Sequence, residues 1–161
     1  MNKIKKLIKD NSNVLVFDVD GVLALLEWGE HNHYGLLDNE WYKACEEGLN
    51  AYTEKAVSTK MQNFLKNKDM SKVYVITTIG SHNEGEFKRE YVNKYYSIPK
   101  ENVYYVKDNE QKTKRLFDIK ENYPYLKDYQ IIMVEDNVGI LNDIMEKTDF
   151  STVHISSFLD I

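Results

Sequence analysis

NVLVFDVDGVLALL, residues 13–26, decides the fold, because it sets an apolar run directly against two carboxylates, Asp18 and Asp20, with Gly21 next. Residues 13–17 read as a strand, with 14–17 apolar at consecutive positions, the pattern of a parallel strand covered on both faces. Four later stretches are further strand candidates, several of them of that character: KVYVIT (72–77), NVYYV (102–106), QIIMV (130–134) and STVHI (151–155). Helical periodicity occupies 84–96, 111–122 and 138–147 between them. Strand, helix and strand in alternation predict an α/β architecture, a five-stranded mainly parallel sheet with helices on both faces. The interval 25–70 breaks the rhythm and holds two further helices. One is expected to start after Asp38 as N-cap and to carry Trp41, Ala44, Cys45, Leu49 and Tyr52 on one stripe; the other follows Ser58 with Met61, Phe64 and Leu65. The first, with the loop before it, reads as a small helical cap or flap insertion after strand 1, at about 24–56. At the amino terminus Ile4, Leu7 and Ile8 predict a short amphipathic helix packed on the domain edge.

With 161 residues and 42% hydrophobic composition the chain suits one domain over 1–161. A net charge of −5 argues against nucleic acid or an acidic membrane as a partner bound through the overall field. A small anionic substrate stays open, since a local site can reverse that sign. Cys45 is the sole cysteine, so an intrachain disulfide is impossible and a cytoplasmic location is the expectation. MNKIKKLIKD is too soon interrupted to read as a secretory leader, and no later run is long enough to span a bilayer. The oligomeric state is left open.

In open parallel sheets ligands bind outside the carboxyl ends of the strands. Asp18 and Asp20 follow the first strand, Thr77 and Thr78 close the second, and Glu135 and Asp136 follow the fourth. Lys112 stands in the first turn of the helix after the third, four and seven residues before Leu116 and Ile119, which aims its stem along the buried face. Carboxylates gathered at a buried edge repel one another unless a cation compensates. Oxygen ligands without paired His or Cys point to Mg²⁺, which commonly also bridges to a substrate phosphate. A threonine hydroxyl and a lysine supply donors for the phosphoryl oxygens.

Taken in order, VFDVDGVL, VYVITT, the lysine of KTKRL and IIMVEDN resemble the four motifs of the haloacid dehalogenase (HAD) superfamily of phosphohydrolases, across about residues 13–155. That resemblance implies a Rossmann-like HAD fold and a mechanism in which Asp18 attacks phosphorus to form an aspartyl phosphate. Asp20 would be general acid and then base. Asp18, the Asp20 backbone carbonyl and Asp136 would hold Mg²⁺, with Glu135 either a further ligand or a supporting group. Thr77 or Thr78, with Lys112, would bind the phosphoryl group. Where the family often carries a further acid or asparagine this chain has Ile140, leaving Asn142 or Asp143 as substitutes. The segment after the first motif selects substrate in many members; its aromatic content makes Trp28, His33 and Trp41 candidate substrate contacts. The implied activity is a small-cap, nucleotidase-like phosphomonoester hydrolase acting on a small phosphorylated metabolite such as a 5′(3′)-(deoxy)nucleotide. Alternatives are a sugar phosphomutase or a polynucleotide-end phosphatase of the same superfamily, or an inactive nucleotide-binding or interaction protein.

Overall fold

Strand β1 (Val14–Phe17) is buried at all four positions because it occupies the middle of the sheet. The computed structural model describes residues 3–25 and 36–159. On one side β1 pairs with β4 (Val73–Thr78), which pairs with β5 (Val103–Val106); on the other it pairs with β6 (Ile131–Glu135), which pairs with β7 (Ser151–His154). All four pairings are parallel, in register Leu15 to Val73, Val75 to Val103, Leu15 to Ile132 and Ile132 to Ser151. The carboxyl ends of the strands therefore lie along one edge. The chain runs outward from β1 through β4 to β5 and then returns to β6, so its direction of winding reverses at β1. A crevice opens at such a reversal, and the first strand feeds directly into it.

Side-chain alternation divides the core into two layers. Val14, Val16, Tyr74, Ile76, Ile131 and Met133 face α5 (Glu110–Glu121) and α6 (Val138–Lys147), where they meet Leu116, Ile119 and Ile144. Leu15, Phe17, Val73, Val75, Ile132 and Val134 face the opposite layer. That layer comprises α1 (Lys3–Lys9), α2 (Asp38–Glu46), α3 (Thr59–Leu65) and α4 (His82–Tyr96), contributing Ile8, Trp41, Cys45, Met61, Leu65 and Val92. The central strands β1, β4 and β6 are thus apolar on both faces for a reason the fold supplies. Of the three apolar residues expected to pack, Ile8 is fully buried and Leu7 packs against the core, while Ile4 is 36% exposed.

The stretch between β1 and α3 departs from expectation in three ways. Two short strands, β2 (Ala24–Leu25) and β3 (Ala56–Val57), pair antiparallel and close its base. Helix α2 is capped by the backbone of Leu37, whose N–H donates to the Glu40 carboxylate at 2.9 Å; Asp38 is its first helical residue, where its charge suits the positive helix end. The expected stripe also ends early, because Gly48 adopts φ +102° just after the helix and turns the chain away. Leu49 is consequently 41% exposed, while Tyr52, on a 3₁₀ turn at Ala51–Thr53, is buried.

Helix α2 is fastened to the start of α4. The His82 N–H donates to the Glu46 carboxylate at 3.1 Å, and the Asn83 amide donates to the Glu46 carbonyl at 3.1 Å. Tyr42 lies flat against Gly80: a Cβ there would come within 1.9 Å of its ring. Trp41 is 1% exposed within the core beside Cys45. Its indole is covered by the core, whereas the sequence reading offers it as a substrate contact. Trp28 and His33 lie outside the described residues.

Candidate active site

As the chain leaves β1, the Asp18 N–H still donates to the Val134 carbonyl at 3.1 Å, so the carboxylate is held at the sheet edge by the β6 ladder. A tight turn follows, in which the Leu23 and Ala24 N–H groups donate to the Val19 carbonyl and the Gly21 N–H donates to the Ala24 carbonyl. Gly21 is required twice. Its φ of +73° is left-handed, and a Cβ at this position would sit 2.3 Å from Asp136 Oδ2. The missing side chain is what lets the β1 turn and the β6 loop approach each other.

Lys112 enters from the first turn of α5 with its side chain 1% exposed. Its Nζ lies 2.7 Å from Glu135 Oε2 and 3.2 Å from Asp18 Oδ2. Lys114, on another face, is exposed. The other oxygen of Glu135, Oε1, accepts from the backbone N–H groups of Asp136 at 3.1 Å and Asn137 at 3.3 Å. Glu135 therefore uses both oxygens to orient Lys112 and shape the loop after β6. Carboxylate oxygens of Asp18, Glu135 and Asp136 all lie within 4.8 Å of one another, three acids against the single ammonium of Lys112. Burial pushes Asp18 up from 3.8 to about 6; Lys112 draws it down and the Glu135 charge pushes it further up. Burial likewise raises Glu135, outweighing the pull of Lys112. Burial alone would lower Lys112, but Asp18 and Glu135 hold it above the ordinary lysine value.

This cluster fits a hard cation. Asp18 Oδ1 is buried and has no hydrogen-bond partner among the described residues, and the donors are carboxylate oxygens. With Glu135 engaged, Asp18 and Asp136 are the carboxylates with coordinating capacity to spare. Among the described residues the Thr77 hydroxyl is also buried and without a partner, whereas the Thr78 hydroxyl donates to Asn109 Oδ1 at 2.8 Å. Buried polar atoms without partners are uncommon, and two at one strand edge mark a place shaped for a ligand.

Asp18, Asp20, Thr77, Thr78, Lys112, Glu135 and Asp136 line one cavity of about 200 Å³. Pockets that engulf a drug-sized ligand occupy roughly 300–1,000 Å³, so this cavity is smaller than one that would enclose such a ligand. A larger groove of about 680 Å³, beside Met61, Phe64 and Phe158, is lined among the described residues by no acidic side chain and shares no residue with the site. Ile140 lines the small cavity, but Asn142 and Asp143 do not; Asp143 pairs with Lys147 on the surface of α6. Neither replaces the acid absent at position 140. Asn137, which caps α6 by accepting from the Gly139 N–H at 2.9 Å, and Asn109 are the lining residues that motif spacing did not indicate.

Asp20 belongs to a separate network, also unanticipated. Lys88 Nζ lies 2.9 Å from Asp20 Oδ2 and 2.9 Å from Glu84 Oε1, and the Tyr52 hydroxyl donates to Asp20 Oδ1 at 2.9 Å. Burial would raise Asp20, but Lys88 and Tyr52 together hold it below the usual carboxylate range. The one legible signal was the Glu84–Lys88 spacing of four on a helical stretch, which ordinarily describes an exposed pair.

The sequence matches no protein-family model and no curated protein. Its fold is similar to solved structures. DsGPDH of Dunaliella salina superposes with a TM-score of 0.56 at 18% identity, over 96% of this chain and 25% of that one. The HAD domain of effector protein Lem4 from Legionella pneumophila gives a TM-score of 0.47 at 15% identity, over 88% and 84% of the two chains. The chain spans a quarter of the length of the Dunaliella protein, and at this identity the likeness is one of fold alone. No helix among the described residues is long and apolar enough to cross a membrane.

Proposed function

We propose that this protein is a Mg²⁺-dependent phosphomonoester hydrolase of the HAD type, working through an aspartyl phosphate on Asp18. The observation that carries the reading is convergence: four separately spaced motifs bring Asp18, Asp20, Thr77, Lys112 and Asp136 to one cavity at the carboxyl edge of the sheet. Asp18, Asp136 and the Asp20 carbonyl would hold Mg²⁺, which when bound offsets the excess of acidic charge and polarises a phosphoryl oxygen. Asp18 forms its bond to phosphorus as the bond to the leaving oxygen breaks. Lys112, held in place by Glu135, and the Thr77 hydroxyl receive the phosphoryl oxygens. Ionised Asp20 takes the proton of the hydrolytic water in the second step; the proton it passes to the leaving oxygen in the first arrives with the substrate monoanion. The chain from about 24 to 56 would form a small cap on a single domain, and the substrate class would be small phosphorylated metabolites, 5′(3′)-nucleotides among them.

The test is phosphate release from a panel of nucleotides, deoxynucleotides and sugar phosphates, with Mg²⁺ and with EDTA. Turnover that requires Mg²⁺ and disappears in Asp18→Asn is expected. Release that is indifferent to both changes would refute the reading.

A further inference from the structure

We infer that Lys88 is a positioning residue for Asp20, fixing the proton carrier through a buried three-way anchor; the inference rests on the phosphohydrolase reading above. An ammonium has three protons to donate, and Lys88 has three acceptors: Asp20 Oδ2 at 2.9 Å, Glu84 Oε1 at 2.9 Å and the Thr78 carbonyl at 2.6 Å. Its side chain is 3% exposed, so the geometry is not shared with solvent. The anchor joins three parts of the site. Asp20 comes from the turn after β1, the Thr78 carbonyl ends β4 one residue beyond Thr77, and Glu84 belongs to α4. Glu84 is itself tied down, its Oε2 accepting from the Gly80 N–H at 2.8 Å.

Tyr52 completes the arrangement from the far side, donating to Asp20 Oδ1. Both Asp20 oxygens are thus referenced to fixed groups, one on α4 and one on the 3₁₀ turn before β3. Lys88 does not line the cavity, whereas Asp20 does. Its influence on the reaction therefore passes through Asp20: it sets where that carboxyl group stands when the leaving oxygen takes a proton and when the hydrolytic water loses one. A misplaced proton carrier penalises leaving groups that need protonation and spares those that depart as stable anions.

The experiment compares kcat/KM, which reports only the steps through departure of the leaving group, for the alkyl phosphomonoester turned over fastest by the wild-type protein and for p-nitrophenyl phosphate, whose leaving group needs no proton. Lys88→Met is expected to lower kcat/KM on the alkyl ester by about 10²-fold, with a much smaller loss on the aryl ester. Tyr52→Phe is expected to shift the same ratio in the same direction by a smaller factor. Lys88→Met leaves Glu84 buried and unpaired, so Lys88→Met with Glu84→Gln serves as the folded alternative if the single variant does not fold. Equal losses on both esters, or no loss, would overturn the positioning role while leaving the phosphatase reading intact. Wild-type protein inactive on both esters with Mg²⁺ would overturn the phosphatase reading and this inference with it.

Discussion

The acidic cluster makes the cation-free protein pay a stability cost at Asp18, and that cost can be measured. Burial raises the Asp18 carboxyl from 3.8 to about 6 despite Lys112 at 3.2 Å. The folded state therefore holds the proton more tightly than the unfolded chain. Its stabilising effect is complete below about pH 4 and is lost as pH rises through about 6. Above that, ionised Asp18 costs the folded state about 3 kcal/mol, taking 1.36 kcal/mol for each pH unit between the two values. Asp18→Asn removes the charge while preserving shape, so at pH 7.5 in EDTA the variant should be more stable than wild type by up to about 3 kcal/mol. The advantage should vanish at about pH 4, where wild-type Asp18 is protonated as well. Urea denaturation of both proteins at the two pH values gives the numbers directly. Mg²⁺ should stabilise the wild type by about 2.7 kcal/mol at a hundred times its Kd and leave the variant much less affected. A variant less stable than wild type at pH 7.5 without Mg²⁺ would refute the reasoning, since Asp18 would then be stabilised by its neighbours instead of strained by them.

Three other substitutions separate binding from folding. Thr77→Val deletes a buried hydroxyl that has no partner among the described residues, so chemical denaturation should show a gain of about 1–3 kcal/mol while phosphate release falls. Lys112→Met strands the buried Glu135 and should cost about 3–5 kcal/mol in the same assay, with loss of turnover. Gly21→Ala forces a Cβ against Asp136 Oδ2 in a left-handed conformation; it should cost about 1–2 kcal/mol from the backbone alone and weaken Mg²⁺ binding measured by calorimetry.

The sheet was legible because its central strands β1, β4 and β6 are short apolar runs with polar site residues at their carboxyl ends. The stretches 72–77 and 130–134 differ from β4 and β6 by one residue at each end, and the helical stretch 138–147 coincides with α6. Lys112 was legible from its spacing to Leu116 and Ile119, both fully buried. What escaped was set by contacts distant in sequence. β2 and β3 are two residues each, too short to show a period, and exist because they pair with one another. Lys88 sits in FKREY and reads as a solvated lysine; its burial depends on Asp20, 68 positions earlier, and on a carbonyl at the end of β4. Trp41 has the composition of a ligand-stacking residue and the environment of a core residue, a distinction that only packing makes. Helical spacing sets Tyr52 on the stripe of α2, whereas the turn at Gly48 carries it to Asp20.

The central claim is that phosphorus passes through Asp18. Protein mixed with a radiolabelled phosphomonoester and Mg²⁺, quenched in acid within the first turnover and digested, should carry label on the peptide containing Asp18, with none in Asp18→Asn. Rapid Mg²⁺-dependent phosphate release with no label on that peptide at any quench time, or equal release by Asp18→Asn, would contradict it.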